Sequence, residues 1–337
     1  MGERFLGQLS GLEQQQFGVS KHGSERVVDA VLHVHHVAAE CGVLFVAGSF
    51  VFGLAGDAYG FGANEELVGR FLARGHRDAV VLATKFALVR DPEDPASRAI
   101  RGDAAYVHQA CDASLKRLGV EHIDLYYMHR RDVRIPIEET VGAMAELVTA
   151  GKVRHLGLSE VTETELEHAF AVHPIAAVQS EWSLFSRDIE ASVVPAAARL
   201  GAALVAYSPL GRGFLTGSFA SADDLADDDF RRSQPRFVGA AAARNAQLLE
   251  PIRQVAQRLD ATPGQVALAW VHAQTDQWGL PVVPIPGTRK AHRLVENVAA
   301  ADLALSRDDR DLLDGIAAEV TGTRYPDMSF TSATKRD

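Results

Sequence analysis

Short apolar runs recur along the chain, and each stops at a polar or reactive residue. Residues 79–84 lead to Lys85, Ile123–Met128 to His129, residues 155–158 to Ser159, and residues 176–178 to Gln179. Residues 203–206 lead to Tyr207 and Ser208, and residues 282–286 to Gly287 and Thr288. Runs this short read as strands, and most of the stretches between them carry helical spacing. Alternating strand and helix implies an α/β fold with a parallel sheet and helices outside. Closed on itself, such a sheet is a (β/α)8 TIM barrel, and all the strand ends meet on one rim, where barrels of this type do chemistry.

Helix ends are marked by caps. Ser24 opens an apolar stripe over 24–41, and residues 42–46 suit a strand. Asn64, with Glu65 and Glu66 behind it, starts a helix over 64–74. Glycines close the helices expected at Ala104–Leu118, 137–150 and 188–200. A shorter helix is expected at 163–171, a long one at 241–259, and Thr262-Pro263 opens another over 262–274. Ala291–Ala299 and 307–317 complete the series. Residues 90–101 and 218–234 read as loops over the rim, the second with an acidic run from Asp223 to Asp229. The tail from Thr321 reads as irregular. No linker or tandem repeat divides the chain, so residues 1–337 are read as a single domain.

The 337 residues are 47% hydrophobic, enough for one large core. A net charge of −10 argues against nucleic acid or an acidic membrane surface as a bulk partner. Two cysteines, Cys41 and Cys111, form no disulfide framework and suit a reducing, cytoplasmic setting. No apolar run reaches the roughly 20 residues that span a bilayer, and Met1 is not followed by a secretory signal pattern. His33, His35, His36 and Cys41 lack ligand spacing, so no metal site is read there.

Tyr59, Lys85 and His129 are the candidate catalytic set. A phenol is a poor acid at neutral pH. A neighbouring ammonium lowers its pKa, and an imidazole can hold a substrate oxygen. Together they can protonate a carbonyl oxygen as hydride reaches the carbon.

Several stretches carry a family resemblance. They include Asp57-Ala58-Tyr59-Gly60, Ala83-Thr84-Lys85-Phe86, Ile123-Asp124-Leu125-Tyr126-Tyr127-Met128-His129, and Gly157-Leu158-Ser159-Glu160. Others are Gln179-Ser180-Glu181-Trp182, Tyr207-Ser208-Pro209-Leu210-Gly211-Arg212-Gly213, and Pro284-Ile285-Pro286-Gly287-Thr288 through Glu296-Asn297. In this order over residues 57–316 the chain resembles an aldo-keto reductase of the bacterial and plant branch. The resemblance implies a TIM barrel, NADPH lying extended across the rim, and reduction of a small aldehyde or ketone. It makes Tyr59 the acid, Lys85 its partner and His129 the carbonyl-orienting group. Ser159 and Gln179 would hold the nicotinamide amide, with Glu160 where the family often has asparagine. Tyr207 would stack on the nicotinamide, and Trp182 would pack nearby. Ser208, Leu210 and Arg212 would cover the pyrophosphate. Thr288, Arg289 and Arg293 would hold the 2′-phosphate, and Glu296 and Asn297 the adenine. Such cations suit a dianionic phosphate. Neither a full Gly-x-Gly-x-x-Gly turn nor a phosphate loop competes with this reading.

Residues 12–56 depart from the family. Its catalytic aspartate, five residues before the tyrosine, falls on Leu54, or on Ala47 if residues 40–46 are taken as the strand. Without that anion a buried lysine tends to lose its proton. One reading is therefore a weakened or inactive scaffold that keeps NADP(H). Another has Asp57 take the role, and a frame error in the coding sequence would leave the same mark. A rival from another class uses Lys85 as a Schiff-base nucleophile.

Overall fold

The structure is a computed structural model. It describes residues 44–47, 50–54, 62–89 and 99–334, with side chains described from residue 62 onward. The helix expected over 24–41 and the turn carrying Tyr59 lie outside the described residues.

Among the described residues, eight strands form one sheet in chain order. They are β1 Leu44–Ala47, β2 Phe50–Leu54, β3 Val80–Phe86, β4 Ile123–Met128, β5 Val153–Ser159, β6 Ile175–Glu181, β7 Ala203–Tyr207 and β8 Val282–Ile285. β1 pairs with β2 as an antiparallel hairpin. From β2 to β8 the strands run parallel in six consecutive pairs. β1 approaches β8, so the sheet curls. The strand expected at 42–46 is thus β1, and the strand that leads towards Tyr59 is β2.

Curling gives the sheet two unlike faces. Side chains alternate along a strand, and the apolar residues separate into two clusters accordingly. The inner cluster holds Ala83, Leu125, Tyr127, Ala177, Ala203, Val205, Val283 and Ile285. The outer cluster holds Leu82, Tyr126, Met128, Leu156, Leu158, Val178 and Leu204, packed against the helices. Inner space is tight: a Cβ on Gly157 would lie 2.4 Å from the Tyr127 ring. Only glycine lets β5 pass that ring.

The covering helices are α1 Ala63–Phe71, α2 Ala104–Leu118, α3 Ile137–Thr149, α4 Glu163–Val172, α5 Val193–Leu200, α6 Gly239–Gln247, α7 Glu250–Arg258, α8 Pro263–Trp278, α9 Ala291–Ala299 and α10 Arg307–Asp314. Capping boxes fix the starts of α4 (Thr162 with Glu165) and α8 (Thr262 with Gln265).

Several expected helices are shorter or broken, each for a local reason. α1 gives way at Phe71 to a wide turn in which Gly75 takes φ 93°. The helix expected over 188–200 breaks at Ser192 (φ −148°, ψ −55°), with Pro195 in the first turn of α5. The helix expected over 241–259 divides into α6 and α7 because Pro251 fits only near a helix start. The segment 307–317 likewise divides at Gly315 into α10 and a short turn of helix.

Candidate active site

The inner face supplies the site. Val81, Ala83 and Lys85 share one side of β3, and Leu125 and Tyr127 share the same side of β4. Continuing that alternation, Lys85 and His129 emerge where the inner layer meets the rim. Register places Lys85 beside Tyr127, and the His129 amide donates to the Phe86 carbonyl at 2.9 Å. Both side chains are nearly enclosed, Lys85 at 2% and His129 at 7% exposure. Ser159 and Gln179 end the next inner rows, paired in register, and Tyr207 ends β7.

These residues line one cleft of about 1650 Å³ that runs across the strand ends. Lys85, His129, Arg130, Ser159 and Gln179 reach it from β3 to β6 and the turns after them, Tyr207, Ser208, Leu210 and Arg212 from β7 and the loop after it, and Thr288, Arg293, Glu296 and Asn297 from the segment after β8. Of the residues expected from sequence, Arg289 does not line the cleft and is exposed, and Tyr59 lies outside the described residues. Trp182 does not line the cleft itself but sits behind it, its amide donating to the Tyr207 carbonyl at 3.4 Å. It is fully buried in the outer cluster, where its Nε1 donates to Glu190 and its ring meets Trp270 edge-on.

Arg212 borders the cleft but turns its guanidinium into the wall. It donates to Glu181 at 2.8 Å, Gln234 at 3.2 Å and the Arg324 carbonyl at 2.8 Å. The loop 218–234 does reach the cleft, through Asp228, Asp229, Phe230 and Arg231. Arg231 pairs with Asp229, whose carboxyl is pulled down to about 2 by that hydrogen bond.

Sequence reasoning missed the tail. It is irregular, as expected, but it is bound across the rim. Arg324 is 1% exposed and pairs with Glu160 at 3.3 Å and Asp188 at 3.0 Å. Tyr325 lines the cleft under Arg212, with 4.3 Å between guanidinium and ring. Phe330 faces Arg130 at 5.7 Å. The signal was present in Arg324-Tyr325 and Phe330, one cation and two rings in a polar tail, but nothing local says where they dock.

Glu160 is fully buried among these groups. Burial alone would raise its carboxyl. Arg324, Arg130, the Ser332 amide and the Tyr207 hydroxyl overrule it and hold the group below the usual carboxylate range. Burial, reinforced by Glu160, pushes the Tyr207 phenol well up.

The cleft suits an extended dinucleotide. Gln179 lines the cleft, and its buried amide also hydrogen-bonds the buried Tyr127 phenol. After β8, Arg293 and the first turn of α9 offer positive charge. Among the described residues no group of His, Cys, Asp and Glu could hold a metal, and no helix is long and apolar enough to cross a membrane.

A curled, mostly parallel α/β sheet with a cleft across its strand ends is a barrel-like build. The chain belongs to the aldo/keto reductase family, which matches it over residues 17–318. It is 43% identical over 278 residues to the NADP(+) aldo-keto reductase yakc of Schizosaccharomyces pombe, covering 80% of each chain. Among solved structures it resembles a glycerol dehydrogenase from Gluconobacter oxydans, with TM-score 0.74, 26% identity, and coverage of 96% and 93%. It also resembles an aldo-keto reductase from Klebsiella pneumoniae in complex with NADPH, with TM-score 0.62, 26% identity, and coverage of 88% and 89%.

Proposed function

We propose that this protein is an NADPH-dependent reductase of small aldehydes or ketones, built as one closed (β/α)8 barrel. One observation carries the reading: the same cleft is lined by Lys85 and His129 and by Arg293, Glu296 and Asn297. The yakc relative is named for NADP(+), and the Klebsiella structure holds NADPH.

Bound NADPH supplies the hydride. The chain's own residues do the rest. Ser159 and Gln179, side by side in the cleft lining, hold the nicotinamide amide. Tyr207 backs the ring, and Ser208 and Leu210 cover the pyrophosphate. Arg212 is committed to Glu181 and the tail and so supports the wall. Arg293 and Thr288 take the 2′-phosphate, and Glu296 and Asn297 the adenine. Arg289 stands outside the cleft lining and is left to long-range attraction. His129 orients the carbonyl oxygen, Tyr59 gives it a proton, and the Lys85 ammonium eases that transfer.

The test is consumption of NADPH with a panel of short aldehydes, beside the Arg293→Ala variant. The wild type turns over. The variant raises KM for NADPH about tenfold, the loss of one charge-assisted contact, and leaves KM for NADH unchanged. Tight NADPH binding with no turnover on any carbonyl favours the second reading, a cofactor-binding scaffold. That reading is supported by the register of β2, which sets Leu54 beside Ala83 at the strand end where the family pattern has aspartate.

A further inference from the structure

We infer that Glu160 is a positioning residue for the nicotinamide end of the cleft, held in place by the C-terminal segment 324–332. The inference rests on the reductase reading.

Glu160 comes directly after β5 and reaches sideways across two neighbouring strands. Its Oε1 accepts from the Tyr207 hydroxyl at 2.7 Å, at the end of β7. The same atom accepts from the Glu181 amide at 3.1 Å, at the end of β6. Its own amide donates to the Gln179 carbonyl at 3.0 Å. One side chain therefore ties together the ends of β5, β6 and β7, the strands that carry Ser159, Gln179 and Tyr207.

The remaining acceptor capacity goes to the tail. Oε2 accepts from the Ser332 amide at 2.8 Å and its hydroxyl at 3.3 Å, and Arg324 Nη1 donates to Oε1 at 3.3 Å. A second route runs in parallel: Phe330 lies against Arg130, which donates to the Ser159 hydroxyl at 3.3 Å. The tail thus touches both flanks of the nicotinamide end without supplying a reacting group.

Backbone strain marks the same place. Glu160 and Ser208, the residues immediately after β5 and β7, adopt φ of 53° and 50°. Left-handed backbone at a non-glycine residue is strained and persists only where surroundings enforce it. At Glu160 the enforcement is a carboxylate saturated by donors from three elements. A glutamate here does what an amide could not: with no donor of its own, it accepts from every side at once.

The experiment compares NADPH with 2′-phospho-ADP-ribose, which keeps the adenine and phosphates and lacks the nicotinamide. Both are titrated by calorimetry into the full-length wild type, Glu160→Gln and Arg324→Gln. In Glu160→Gln, Arg324 keeps its ion pair with Asp188, and the fragment titration reads whether the rest of the cleft is intact. Each variant is expected to bind NADPH about tenfold more weakly while binding of the fragment changes less than about twofold, and KM for NADPH rises more than kcat falls. Arg324→Lys restores part of the loss. Equal weakening for both ligands, or unchanged NADPH affinity, overturns the inference, because a general fold defect would not discriminate between them. A wild type that binds no NADPH fails the reductase reading itself, which is a separate outcome.

Discussion

Asp124 and Glu160 brace opposite ends of the same sheet. Asp124 sits second in β4, at the end away from the cleft, and accepts from the Leu82 amide and from Arg77, each at 2.8 Å. His122 at 3.6 Å and Arg154 at 3.5 Å complete its surroundings. Glu160 sits just past the end of β5 and gathers donors from β6, β7 and the tail. Both carboxylates join strands by charge-assisted hydrogen bonds. Asp124 draws its partners from β3, β5 and the turns that lead into β3 and β4, away from the cleft lining. Glu160 draws on residues as far away as Ser332, and its neighbours form the wall of the cleft. In the proposed barrel this contrast would separate stability at the strand starts from chemistry at the strand ends. The difference teaches that the same bond has different consequences depending on what lies beside it.

The largest effect that would break this division belongs to Lys85→Met. A methionine fills a similar volume in an almost closed site. Turnover is expected to fall by about a hundredfold or more, the usual weight of an assisted proton transfer, with melting temperature and NADPH affinity little changed. Single-turnover kinetics with wild type and variant read this directly. A mere twofold loss would remove Lys85 from the chemical step and weaken the claim that the rim is specialised.

Asp124→Ala is the mirror experiment, and its effect is on stability. It leaves the Arg77 guanidinium short of its partner and the Leu82 amide without an acceptor. Loss of a buried charged partner costs about 3 kcal/mol, which urea melts would show as a lower midpoint. KM and kcat are expected to stay within about twofold under conditions where the protein is folded. A shift in KM for NADPH would mean that the two ends of the sheet are coupled, and the contrast between the two carboxylates would fail.

Most of the scaffold was legible because its signals are local. β4 runs over Ile123–Met128 as the apolar run does, and α2 and α9 keep their expected bounds because Asp103, Gly119 and the flanking loops mark them. The rim was legible as well: the strand-end positions put Lys85 and His129 there, and the cleft gathers them with Ser159, Gln179 and Tyr207. What escaped were contacts made across large sequence separations. Arg324 meets Glu160 across 164 residues and Ser332 meets it across 172. No periodicity or cap encodes such a pairing. The role of Glu160 stayed hidden for the same reason, since its partners are spread over three strands and the tail.

Acid provides the mildest test, because it should act on the scaffold before it acts on the rim. His272 lies on α8, and burial alone lowers its pKa from 6.5 to about 4. In the unfolded chain it takes up a proton near its usual value. Between pH 6.5 and about 4 the unfolded state therefore binds more protons than the folded one, and stability falls as pH falls. Above 6.5 both states are neutral and the contribution is constant; below about 4 both are charged and the slope ends. Glu160 behaves differently. Its folded pKa is depressed, so its contribution is intact above its unfolded value near 4.5 and fades as pH drops through the folded one. His272→Leu is accordingly expected to flatten urea midpoints between pH 6.5 and 4 while leaving the steeper loss at lower pH in place. The reverse result, a profile unchanged by His272→Leu and flattened by Glu160→Gln in the upper window, would place the acid-sensitive group at the rim and reverse the order of scaffold and site.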